Sequence, residues 1–96
     1  MKIIHLENEN FKDLIKEKVL VDFYANWCGP CKMIAPELEK VESSINVVKV
    51  DVDKFESIAR EYGVMSIPTL ILFENGKEVR RNIGFIDKSK IEKFIS

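Results

Sequence analysis

Metal-binding side chains are scarce in this sequence, which has two cysteines and one histidine. A structural zinc site usually takes four ligands from that set, and His5 lies far from both cysteines, so the residues argue against zinc. No apolar run approaches the roughly 20 residues needed to cross a bilayer. Neither sign of charge dominates: 15 Lys and Arg stand against 16 Asp and Glu, a net charge of -1. That balance excludes a broad electrostatic attraction to nucleic acid or to an anionic membrane surface. The tail is locally basic, with Lys77, Arg80, Arg81, Lys88, Lys90 and Lys93 against Glu78, Asp87 and Glu92, and reads as a solvated face. Repeats, low-complexity tracts and Pro- or Gly-rich linkers are lacking too. The 96 residues are therefore expected to form one domain, residues 1–96, large enough for a real core. From Met1 to Glu7 the chain meets an acid before a signal-peptide core can form, and no small-residue cleavage site follows. The expected location is the cytoplasm.

What is present alternates between strand and helix signals. Ile3–Leu6 reads as a short strand, and Phe11, Leu14 and Ile15 recur at helical spacing behind the capping candidates Asn8 and Asn10. Val19–Tyr24 is too short and too β-branched for a helix, and its apolarity, broken only by Asp22, suits a strand covered on both faces. From Cys31 a helix is expected to carry Ile34, Leu38, Val41 and Ile45 on one stripe, bent at Pro36. Val47–Val52 is the next strand. Asp53 is expected to cap a helix whose Phe55, Ile58, Ala59 and Tyr62 share a face, with Gly63 as its stop. Thr69–Phe73 is an apolar strand, and Asn75-Gly76 a strong hairpin signal, so Glu78–Ile83 should return antiparallel as a polar edge strand. Gly84 ends it, and Asp87 caps a final helix with Ile91, Phe94 and Ile95 inward. This order predicts a mixed α/β sheet of about five strands with about four helices on its two faces.

Both cysteines fall in Trp27-Cys28-Gly29-Pro30-Cys31-Lys32, between a strand signal and a helix signal. A C-x-x-C pair in that setting puts its first sulfur at a helix N-terminus, where unpaired N–H groups and the macrodipole favour thiolate. The second sulfur lies within the first turn, close enough to close a ring and expected to be the more buried. A purely structural bridge is the weaker reading, because a ring of about four residues is worth roughly 2 kcal/mol or less. Thiol–disulfide exchange is the chemistry this arrangement suits. Asp22, a single carboxylate amid an apolar strand, is expected to have a raised pKa.

The Trp27–Lys32 segment, Asp22 six residues before the first cysteine, Ile67-Pro68-Thr69, and Gly84 after the hairpin together resemble the thioredoxin family in order and spacing. The resemblance runs over the whole chain and implies the thioredoxin fold. It also implies a general protein-disulfide reductase with Cys28 as nucleophile and Cys31 as resolving thiol, needing neither metal nor organic cofactor. By the same resemblance Asp22 exchanges a proton with Cys31, usually through water, with Lys49 beside it. Gly29 and Pro30 tune the potential, and with no histidine between the cysteines a reductant is implied rather than an oxidase. Trp27, Ile67, a cis-bonded Pro68 and Gly84 would form a shallow apolar groove for an extended substrate segment.

Implied partners are disulfide-containing proteins, a flavin-dependent thioredoxin reductase, and enzymes such as a ribonucleotide reductase or peroxidases. A monomer is expected, since the reactive face must stay open. Two other readings remain, a dedicated donor to one enzyme and an interaction module without turnover; intact Cys28, Cys31 and Asp22 speak against the second. Phe85 is bulkier than the residue common after that glycine, and Tyr24 stands where the family often has tryptophan, a packing variation. Met33 and Met65 read as gap-fillers, and His5 as a surface or strand-end residue.

Overall fold

The computed structural model describes residues 1–96. Its elements are β1 (Ile3–His5), α1 (Phe11–Leu14), β2 (Val19–Tyr24), α2 (Gly29–Lys40), β3 (Asn46–Asp51), α3 (Glu56–Glu61), β4 (Thr69–Glu74), β5 (Lys77–Ile83) and α4 (Lys88–Ile95). The strands form one five-stranded sheet in the order β1-β3-β2-β4-β5. β1, β3 and β2 run parallel, and β4 and β5 are antiparallel to their neighbours. This is the mixed sheet the element order predicts, with β5 as its polar edge.

Central β2 explains the layering. Its successive side chains point to opposite faces. Val19, Val21 and Phe23 pack with Phe11, Ile15, Val48, Val50, Ala59, Ile71 and Phe73, under α1 and α3. Leu20 packs with Ile34, Leu38, Val47, Leu70, Leu72, Ile91 and Ile95, under α2 and α4. Asp22 and Tyr24 share the parity of Leu20 and so lie on the α2/α4 side. A third, small cluster of Ala25, Cys28 and Cys31 closes the C-terminal end of β2. The hairpin after β4 turns at Asn75 and Gly76, with φ of 55° and 79°. Two successive positive φ values are what a two-residue hairpin requires, and Asn-Gly supplies them at least steric cost.

Three expectations are corrected. α2 ends at Lys40, so Val41 and Ile45 are not on its stripe; Val41 is its C-cap and still packs into the same core with Ile45 at its margin. The helix runs through Pro36. Asp53 does not cap α3, which begins after Phe55 and has no side-chain cap. Met33 and Met65 fill no gap, since they are 58% and 97% exposed. At α4 the expectation holds: Asp87 accepts the Lys90 N–H at 3.0 Å. Asp87→Ala is expected to lower stability by about 1 kcal/mol, read from urea unfolding midpoints at constant m-value.

Candidate active site

The site lies at the C-terminal ends of β2 and β3, where open α/β sheets place their ligands. β2 ends at Tyr24, Ala25 to Trp27 make the turn, and Cys28 is the N-cap of α2 with Gly29 and Pro30 as the first helical residues. Pro30 fits there because its missing N–H has no helical partner in the first turn. Cys28 and Cys31 are joined as a disulfide with Cα atoms 5.2 Å apart.

The Cys28 sulfur occupies the place of an N-cap side-chain acceptor. It receives the backbone N–H of Cys31 at 3.2 Å, so the first turn donates a hydrogen bond to this sulfur. An anion there gains from that donor and from the positive end of the helix dipole. Cys31 is the more buried, as expected, but the contrast is slight: Cys28 is 5% and Cys31 3% exposed, so both are buried in the disulfide form. Their difference lies in the helix position, which gives the cap to Cys28 alone.

The Ile67–Pro68 bond is cis, as the resemblance implies. Ile67 O lies 3.8 Å from the Cys28 sulfur, and Pro68 O accepts the Gly84 N–H at 2.8 Å. Ile67, Pro68 and Gly84 are therefore brought together beside the disulfide. Gly84 has φ of 96°, and a Cβ there would meet open space. Backbone conformation rather than crowding is what calls for glycine at that turn. Trp27 is 69% exposed. With Val52, Val64, Met65, Ser66 and Ile67 it lines an apolar groove of about 200 Å³.

Trp27 also reveals a residue the sequence reading assigned elsewhere. Its indole N–H donates to Asp53 Oδ2 at 2.8 Å. Asp53 is therefore the ring's anchor and not a helix cap. The signal for this was the tryptophan itself, whose N–H seeks an acceptor, with an acid in the β3–α3 loop at the same end of the sheet.

Asp22 is fully buried on the α2/α4 side of the sheet. Neither of its carboxyl oxygens has a hydrogen-bond partner. Register pairs Asp22 with Lys49 on β3 and with Leu70 on β4. Lys49 Nζ stands 3.5 Å from Asp22 Oδ2, an ion pair at the outer edge of hydrogen-bond distance. Burial pushes the Asp22 pKa up to about 6, and the Lys49 charge opposes part of that rise. A cleft of about 150 Å³ opens at the resolving position, its walls including Tyr24, Asn26, Cys31, Lys32 and Lys49, and Lys49 reaches from that wall to the buried Asp22. A cleft this size, with Asn26, Lys32 and Lys49 among its walls, has room for water.

A family model described as Thioredoxin matches residues 2–96. The thioredoxin of Chlamydia trachomatis is 48% identical over 95 residues, covering 95% of this chain and 93% of that protein. The thioredoxin of Bacillus subtilis is 41% identical over 101 residues, covering 100% and 97%. A thioredoxin variant from Halobacterium salinarum superposes with a TM-score of 0.91 at 34% identity, covering 98% of this chain and 88% of that one. A chain from a study of thiol resolution in yeast mitochondrial 1-Cys peroxiredoxin via glutathione/thioredoxin systems gives 0.85 at 39% identity, covering 97% and 92%. With its cysteines bridged at the mouth of a five-stranded mixed sheet, and relatives matched over nearly their full length, the chain belongs to the thioredoxin family, the dithiol–disulfide reductases.

Proposed function

We propose that Cys28 is the attacking thiolate and Cys31 the resolving thiol of a general protein-disulfide reductase formed by residues 1–96 as one domain. Cys28 attacks one sulfur of a substrate disulfide; a Cys28–substrate bond forms, the substrate S–S bond breaks, and its other sulfur leaves as thiolate and takes a proton. Cys31 then loses its proton and attacks Cys28. The Cys28–Cys31 bond forms, the mixed disulfide breaks, and the second substrate sulfur leaves as thiolate. Two electrons have moved from the protein to the substrate, and the sulfurs alone account for them, so no metal or organic cofactor enters. The observation that carries the assignment is the Cys31 N–H donated to the Cys28 sulfur at the helix cap.

Asp22 receives the Cys31 proton through water, which the cleft beside Cys31 and Lys49 admits, and Lys49 keeps part of the carboxyl population ionised near neutral pH. Gly29 and Pro30 bring no cation that would overstabilise the Cys28 thiolate, which favours a reductant. Trp27, Ile67, Pro68 and Gly84 receive an extended substrate segment in the apolar groove, the Ile67 backbone pairing with it as a short strand. A flavin-dependent thioredoxin reductase returns the pair to the dithiol. Peroxidases and a ribonucleotide reductase are fitting cytoplasmic acceptors for a monomer whose reactive face is open.

Alkylation tests the assignment. The reduced protein is treated with limiting iodoacetamide near pH 7 and the labelled peptides are separated by mass. Labelling is expected at Cys28 first, and a preference for Cys31 overturns the order of attack.

A further inference from the structure

We infer that Tyr24 is a positioning residue for the resolving step, its ring face holding the Lys49 ammonium against the Asp22 carboxylate. The inference rests on the reading of Asp22 as acceptor of the Cys31 proton.

Tyr24 and Asp22 are two residues apart on β2 and point to the same face of the sheet. Lys49 Nζ lies 3.5 Å from Asp22 Oδ2 and 4.6 Å from the centroid of the Tyr24 ring. Apart from this ion pair the ammonium has no acceptor of the chain within hydrogen-bond distance, and its side chain is only 11% exposed. Carboxylate and ring are therefore its two partners. A lysine is a point charge on a flexible four-carbon stem, and this stem borders the open cleft. Without the ring, the carboxylate alone keeps the ammonium from swinging into that cleft and into water. The face of an aromatic ring attracts a cation most where both are shielded from solvent, as here.

The titratable and charged groups around this point are few. β2 supplies Asp22 and Tyr24, and β3 supplies Lys49 together with Asp51, the register partner of Tyr24. β1 places His5 beside Lys49 in register, and α2 contributes Cys31 and Lys32 to the cleft wall. Burial raises the Tyr24 pKa, and the Asp51 and Asp22 charges raise it further. The phenol stays neutral wherever the protein works, and the ring keeps its attraction for a cation.

Losing the clamp weakens the one charge that holds the Asp22 pKa down, so the carboxyl midpoint rises. In Tyr24→Leu the Asp22 midpoint, followed by carbon NMR of its carboxyl in the reduced protein, is expected to rise by about half a unit to one unit. Resolution of a preformed mixed disulfide at pH 6 then slows about two- to five-fold, as the ionised fraction falls. Tyr24→Phe keeps the ring and restores the wild-type midpoint. In a Lys49→Met background, Tyr24→Leu moves the midpoint no further, which a merely structural role of the ring would not predict. The unmutated chain offers an independent readout: the Lys49 Cε protons should be shifted upfield by the ring, and an unshifted signal overturns the clamp.

The clamp is also overturned if Tyr24→Leu leaves the midpoint in place, if Tyr24→Phe shifts it as far as leucine does, or if the shift persists without Lys49. Asp22→Asn separates the two ideas. Slow resolution in Asp22→Asn with an unshifted Tyr24→Leu midpoint removes the clamp alone, whereas a wild-type rate in Asp22→Asn removes the proton-acceptor reading on which it rests.

Discussion

Cys31→Ser is expected to arrest the reaction at a covalent mixed disulfide between Cys28 and its substrate. A hydroxyl has no comparable nucleophilicity toward a disulfide sulfur at neutral pH, so the first attack proceeds and the second step has no attacker. Steady-state reduction of insulin should fall by roughly three orders of magnitude when a thioredoxin reductase supplies the electrons, while the prereduced variant, freed of small thiols, captures one equivalent of substrate as a reducible adduct. Cys28→Ser should lose both turnover and adduct. The asymmetry follows from the helix: only Cys28 occupies the cap and receives the Cys31 N–H at 3.2 Å. A stable adduct on Cys28→Ser and none on Cys31→Ser would reverse the two roles. In the disulfide the two sulfurs are 5% and 3% exposed, so burial alone could not have ordered them.

The fold was legible because its signals are local and repeated. Val19–Tyr24 alternates between two cores, so a run of six, apolar but for Asp22 and with no helical spacing, had to be a doubly covered strand. Asn75-Gly76 specified its own turn, and Asp87 its own helix. Failures came where a residue's partner is distant in sequence. Asp53 has the look of a cap two residues ahead of Phe55, yet its carboxylate is engaged 26 positions away by the Trp27 indole, and α3 starts without it. Val41 and Ile45 kept the helical spacing after the helix had stopped, because the following loop packs into the same core. In the site, Cys28, Cys31 and Asp22 announced themselves by residue type and setting. The contact between Tyr24 and Lys49 could not be seen, since it depends on parallel register across β2 and β3. Met65 misled for a related reason: it lines the groove beside the reactive pair, so its exposure follows from that surface and not from the core, while Met33 lies exposed on α2.

Asp22→Asn is expected to make the protein more stable in alkaline solution and slower in resolution. The sign follows from the raised pKa. In the folded protein the carboxyl has a pKa of about 6, above its value in the unfolded chain, so the folded state binds the proton more tightly. The stability this confers is complete below the unfolded value near pH 4, declines as the pH rises through about 6, and is gone above it. A displacement of about two units corresponds to roughly 3 kcal/mol. The difference in unfolding free energy, Asp22→Asn minus wild type, should therefore grow by about 3 kcal/mol between pH 4 and pH 8 in urea titrations of the oxidised protein. Taking the difference across pH cancels any constant cost of burying the amide. A flat difference would mean that Asp22 titrates as an ordinary carboxylate. The same substitution removes the proton acceptor, and resolution of the mixed disulfide should slow about 10²-fold with the first attack unchanged. Equal resolution rates would remove Asp22 from the mechanism. The two effects have one physical origin. A carboxylate without hydrogen-bond partners, held in a core beside a single lysine, destabilises the fold when ionised. That same desolvation brings its pKa close enough to neutrality for it to take and return a proton during each cycle.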